Sequence, residues 1–197
     1  MKAKNTSLIG ERELRDALKS HLYSSLDEYS ILIEELGIEN GSARIDMAVV
    51  SQQMCGYEIK SDFDTANRLY NQIHTYNRVF EHIYIVTGGL SGITIEELLP
   101  TWWGIIRGVR DKDGVIQLNI LRTPTQNLNR DPYSLLTLLK RDELNSLALR
   151  SGLDVKIIKT NKNNIIETIA TLLPLESINK EVTRYLKSRI KLTVALQ

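Results

Sequence analysis

The spacing of apolar residues changes period several times along this chain. Leu14, Leu18 and Leu22 recur at helical spacing and predict an amphipathic helix over Gly10–Tyr23. The period then falls to two. Ile31–Leu36 and Ala43–Val50 read as strands, the second with Ile45, Met47 and Val49 on one apolar face and Asp46 on the other. A polar turn, Ser51–Gly56, leads into a strand within Met54–Ser61, so the two predict a hairpin. A second helix is expected from about Asp64 to Phe80, capped by Asp62 or Asp64, with Leu69, Ile73, Tyr76 and Phe80 buried. Ile83–Thr87 is a short apolar run that suits a central strand. The glycines after it, Gly88, Gly89 and Gly92, are read as a plain turn, because no Gly-Lys-Ser/Thr follows. Glu96–Leu99 suggests a short helix stopped by Pro100, and Trp102–Val109 and Val115–Leu121 predict two strands joined at Asp113-Gly114. The Trp102-Trp103 pair reads as sheet packing, with base stacking as the alternative. After a polar stretch, Thr123–Asp131, the pattern turns helical: Ser134–Lys140, Arg141–Leu149 halting near Gly152, Asn161–Leu173 and Ile178–Ile190. The chain thus divides into an α/β core at 1–122, a linker at 123–133 and a helical C-terminal region at 134–197.

Candidate chemistry sits on the hairpin. Side chains alternate across a strand, so Glu58 and Lys60 share a face, roughly 6–7 Å apart, while Ile59 points into the core. Antiparallel pairing would bring Asp46 to the same edge. Two carboxylates with the Ile59 carbonyl beside them form a hard-oxygen set suited to Mg2+ or Mn2+, and a lysine next to it suits metal-assisted hydrolysis. Exposed strand charges also serve solubility. Asp46, however, stands between Ile45 and Met47, where a charge needs compensation or a task. Glu11 shares the stripe of Leu14 and so either looks inward toward this site or serves the helix dipole; Glu13 is expected to be exposed. Glu35 is a further acid, or an edge-strand charge. Asn67, Arg68, Asn71, Gln72 and Thr75 give the second helix an amide-rich flank that could bind phosphate or orient the lysine, or simply face water.

Composition bounds the setting. The chain has 197 residues, 42% hydrophobic and 25% charged, as in an ordinary globular protein. A single cysteine, Cys55, permits no internal disulfide, and no apolar run reaches membrane-spanning length, which together suggest a cytoplasmic protein with no membrane partner. His21, His74 and His82 lack the spacing of a zinc site. The formal charge of +1 splits into −6 over residues 1–100 and +7 over 101–197. Lys180, Arg184, Lys187, Arg189 and Lys191 make the last helix basic, an arrangement that suits a nucleic-acid partner.

Glu11 on a first helix, Asp46 on one strand, Glu58-Ile59-Lys60 on the next and Gln72 with Tyr76 on the following helix resemble the PD-(D/E)XK, or restriction-endonuclease-like, nuclease superfamily. Gly10-Glu11-Arg12-Glu13-Leu14 is similar to the opening helix of archaeal Holliday-junction resolvases, and Gly56–Asp62 with Asp64-Thr65, Arg68-Leu69 and Gln72–Tyr76 to small bacterial and phage members of the superfamily. Ile45 stands where the proline of the motif would be. The resemblance covers roughly residues 8–87. It implies an αβββαβ core with a mixed sheet, a Mg2+- or Mn2+-dependent deoxyribonuclease, and a homodimer for duplex cutting. Asp46, Glu58 and the Ile59 carbonyl would bind the metal with support from Glu11; Lys60 would orient or deprotonate water, and Gln72 would position Lys60 or a phosphate. Arg68, Asn71 and Lys187 are the candidates for nucleic-acid contact. Asp142–Ile169 is loosely similar to the SAP-type DNA-binding module, and a layer that merely covers the sheet stays equally open. Two other functions remain: a nucleic-acid-binding protein with a weak site, and a phage or mobile-element assembly or regulatory protein that uses the fold for contacts.

Overall fold

The computed structural model describes residues 8–64, 69–89 and 95–195. Its frame is one six-stranded sheet in which β1 (Ile31–Ile38), β2 (Ala43–Val50), β3 (Met54–Lys60), β4 (His82–Thr87), β5 (Gly104–Arg110) and β6 (Ile116–Arg122) lie side by side in chain order. The three pairs β1/β2, β2/β3 and β5/β6 are antiparallel, while β3/β4 and β4/β5 are parallel. With α1 (Glu11–Ser25) before the sheet and α2 (Leu69–Asn77) between β3 and β4, the order through β4 is αβββαβ on a mixed sheet, as expected. The N-terminal turn expected for the second helix, with Asn67 and Arg68, and the turn glycine Gly92 lie outside the described residues.

Each face of the sheet carries its own apolar layer. Leu14, Leu18 and Leu22 of α1 are buried against Met47, Tyr57, Ile59, Val86 and Ile106. Gly108 permits this close approach, because a Cβ there would stand 2.5 Å from Leu14 Cδ2. The opposite face holds Tyr76, Phe80, Trp103 and the C-terminal helices in one larger cluster. Trp103 is core, as the packing reading expects, and its indole N–H donates to Asn77 Oδ1 at 2.9 Å. Ile83 and Ile85 point into this layer and Val86 into the other, which is what a central strand requires.

Two expectations for the hairpin need correction. The turn is confined to Ser51–Gln53, and Gly56 lies inside β3, where a Cβ would collide with Ile45 Cδ1 at 2.5 Å and Phe80 at 3.1 Å. Ile45 and Met47 do not share a face: Ile45 joins the Phe80 layer and Met47 the α1 layer. The alternation breaks at Asp46. On β1 the same break occurs at Glu35, whose φ of 55° is left-handed, a conformation that costs a non-glycine residue about 1–3 kcal/mol. Cα pairing of β1 with β2 runs through Glu34–Met47 and resumes at Leu36–Ile45. The intervening rung, Glu35 opposite Asp46, is open. Pairing of β2 with β3 likewise stops at Met47–Tyr57, one rung short of Asp46 and Glu58.

The C-terminal helices are α3 (Pro132–Thr137), α4 (Arg141–Arg150), α5 (Lys162–Leu172) and α6 (Leu175–Ala195). The last begins directly after Pro174, earlier than the expected Ile178, and the Ile178 amide donates back to the Pro174 carbonyl at 3.1 Å. Asp131 caps α3 by accepting from the Tyr133 and Ser134 amides. The polar stretch before it is fastened to the core: Asn127 donates its side-chain amide to the carbonyls of Asn77 and Phe80 at 2.6 and 3.0 Å. Glu81 and Arg130 then form a buried ion pair at 2.9 Å, their side chains only 5% and 7% exposed. Glu81 also accepts the Met54 amide at 3.0 Å, and Arg130 donates to Asn179 of α6 at 2.8 Å. This pair therefore joins the start of β3, the approach to β4 and α6. Replacing Glu81 with alanine strands a buried guanidinium, and urea denaturation should register a loss of about 3–5 kcal/mol.

Candidate active site

A cleft of about 470 Å3 opens where the ladder parts. Asp46, Glu58 and Lys60 line its floor, Glu11 and Arg15 of α1 one wall, and Asn71, Gln72 and Thr75 of α2 the other. The strand register explains the convergence. Continuing the β2/β3 register by one rung sets Asp46 opposite Glu58, and instead of a backbone partner the Ile59 amide finds Asp46 Oδ2 at 2.7 Å. The Asp46 side chain thus replaces a missing ladder bond and stays on the floor.

Every carboxylate oxygen of the pair has a partner. Asp46 Oδ1 accepts from Arg15 at 2.6 Å. Glu58 Oε1 accepts from Lys60 and from the Gln72 amide, both at 2.6 Å. Glu58 Oε2 lies 2.9 Å from Tyr76 Oη, which also stands 2.6 Å from the Arg44 carbonyl. A phenol has one hydrogen. If Tyr76 donates it to the carbonyl, the contact with Glu58 needs a proton on the carboxyl. Burial, and then the charge of Asp46, push Glu58 up to about 7 despite Lys60 and Tyr76, so such a proton is present over the acidic range. Burial also raises Asp46, with the Ile59 amide and Arg15 pulling the other way. The acceptor oxygen of the Gln72 amide is buried and unpartnered.

The structure brings Glu11, Asp46, Glu58, Ile59, Lys60, Asn71 and Gln72 to one cleft. Of the two readings of Glu11 the exposed one holds: its side chain is 54% exposed and pairs with Arg15 at the rim of the cleft. Asp62 and Asp64 serve nearby backbone: Asp62 accepts the Ile9 amide at 2.9 Å and Asp64 the Ser61 amide at 2.8 Å. Lys187 lines a different cleft, between α6 and the Ser51–Gln53 turn, beyond the far end of β2. Arg68 lies outside the described residues. Sequence reasoning missed Arg15, whose signal was its place four residues after Glu11 on the same helix face. It also left Glu35 open as an edge charge; Glu35 faces the cleft between Arg15 at 2.9 Å and Arg44 at 2.7 Å.

A divalent cation fits this donor set in part. Two hard-oxygen carboxylates lie on adjacent strands, and a cation would offset both the burial and the Asp46 charge that raise Glu58. Among the described residues, no group of three or more His, Cys, Asp or Glu side chains could hold a metal ion, so further ligands would have to be backbone oxygen and water. No helix among the described residues is long and apolar enough to cross a membrane.

Over residues 4–195 the chain matches the family described as Bacteriophage P4 protein cII, and it belongs to that family. Protein cII of Enterobacteria phage P4 is 24% identical over 187 residues, which cover 94% of this chain and 70% of that protein. The kinship is with a phage protein, the setting that the non-enzymatic reading named. The nuclease resemblance rests on the site residues alone.

The state of Glu58 gives the site a pH signature. Its folded pKa lies above the unfolded value, so the native state holds the extra proton, and stability falls as pH rises from about 4.5 toward 7. Thermal melts across that window should show a falling contribution on the order of 1 kcal/mol per pH unit, and Glu58→Gln should flatten it. An unchanged slope in the variant would place the proton elsewhere.

Proposed function

We propose that this member of the phage P4 cII family is a Mg2+- or Mn2+-dependent phosphodiesterase acting on DNA. The observation that carries the reading is the convergence of Asp46, Glu58, Lys60 and Gln72 on one cleft at a rung where the sheet opens. Asp46 and Glu58, with the Ile59 carbonyl, would hold the cation, and Glu11 would support its water shell. A cation bound there supplies a water of lowered pKa and neutralises phosphate charge. Lys60 donates to Glu58 at 2.6 Å, so its part would be electrostatic: it would orient the water and steady the charge that builds on the phosphoryl oxygens. Gln72 would hold Glu58 in place through its amide N–H at 2.6 Å. Glu58 must be ionised for the cation, so apparent Mg2+ or Mn2+ affinity should weaken as pH falls below about 7.

A second reading has two observations in its favour. The family is a phage family, and every oxygen of Asp46 and Glu58 already has a partner within the chain. On this reading the protein is a phage regulatory or assembly protein that uses the same fold for contacts, with or without nucleic acid. One experiment separates the two. Plasmid, linear, single-stranded and junction DNAs are incubated with Mg2+ or Mn2+ and either wild type or Lys60→Ala. The nuclease reading expects metal-dependent cleavage that falls at least about 100-fold in the variant while DNA binding persists. Equal cleavage by both proteins would remove Lys60 from the chemistry. Binding without cleavage by either would favour the second reading.

A further inference from the structure

We propose that Arg15 is a phosphate-binding residue of this cleft, held in reserve by Glu11, Glu35 and Asp46, and that it leaves Asp46 for the phosphate when the acid pair takes up a divalent cation. This rests on the metal-dependent reading and adds to it the residue that couples cation to substrate. Arg15 reaches Asp46 at 2.6 Å and both Glu11 and Glu35 at 2.9 Å, so one guanidinium satisfies three carboxylates. Asp46 is the only one of the three on the floor of the site. A guanidinium and a divalent cation cannot share Asp46 at such distances without strong repulsion.

Departure of Arg15 leaves no carboxylate stranded. Glu35 keeps Arg44 at 2.7 Å, Glu11 is 54% exposed to solvent, and Asp46 keeps the Ile59 amide at 2.7 Å. The backbone is also built for this contact, since the left-handed turn at Glu35 interrupts β1 opposite Asp46 and Glu35 meets Arg15 there. Once free, the guanidinium stays in the cleft that holds Lys60 and Gln72. Its planar fork of donors matches two phosphate oxygens, which an ammonium cannot do.

Mn2+ affinity, read from the electron paramagnetic resonance of free Mn2+, and DNA affinity, read by fluorescence anisotropy in Ca2+, test this in wild type, Arg15→Gln and Arg15→Lys. Arg15→Gln should bind Mn2+ about tenfold more tightly in the absence of DNA, as expected when one adjacent like charge is removed, and bind DNA more weakly. Arg15→Lys keeps the charge and loses the fork, so its Mn2+ affinity should stay near wild type while DNA affinity falls. Should Arg15→Gln fail to fold by circular dichroism, the Arg15→Lys pair of readings decides. Unchanged or weaker Mn2+ binding in folded Arg15→Gln, or unchanged DNA affinity in both variants, would overturn the role of Arg15 and leave the metal reading standing. Absence of Mn2+ binding from all three proteins would overturn both.

Discussion

The hydrogen bond from the Ile59 amide to Asp46 Oδ2, 2.7 Å long, is the contact on which the cleft depends. It occurs where β2 and β3 would otherwise form another rung of backbone pairing. A carboxylate can take the place of a carbonyl there because it accepts as well, and it does so with charge in hand. The strands can then separate without leaving the Ile59 amide unpaired. Separation is what makes room beside Glu58 and Lys60. The same carboxylate is thereby fixed in place, with its second oxygen turned to Arg15.

The rest of the fold holds that opening at a set width. On one face Leu14, Leu18 and Leu22 dock α1 against the sheet, which sets Glu11 and Arg15 at the rim. On the other, Tyr76 anchors α2 to the carbonyl of Arg44 at 2.6 Å and places Gln72 over Glu58. The break in alternation at Glu35 and Asp46 lets Leu36 and Ile45 turn into the larger apolar layer while Met47 stays in the other. Far from the cleft, the Glu81–Arg130 pair and Asn127 tie the C-terminal helices to the strands that bear the acids. The strands that carry the floor are thus clamped at their other ends.

Charge balance in the cleft bears directly on what it can do. Glu11, Glu35, Asp46, Glu58 and Asp64 line it, against Arg15, Arg44 and Lys60. Each acid on the floor is matched within the chain, and burial still pushes Glu58 to about 7. Five acids against three bases leave the lining of the cleft net negative.

Local pattern alone sufficed for much of this. The leucine stripe placed α1 and two-residue alternation put Glu58 and Lys60 on one face of β3, because these properties depend on neighbours within a turn or a strand; the mixed αβββαβ sheet was what the nuclease resemblance implied. The hairpin even implied that Asp46 would lie near Glu58. Glu11 stayed open between an inward and a first-turn role because helical phase does not say how deep the first turn lies over the sheet. The shared face assigned to Ile45 and Met47 failed because a left-handed residue on a neighbouring strand, Glu35, resets the phase of both strands. Arg15 became part of the site through contacts that span 20 and 31 positions, to Glu35 and Asp46. Those depend on how α1 sits on its face of the sheet, and packing of the apolar layer beneath it sets that placement where no local spacing can.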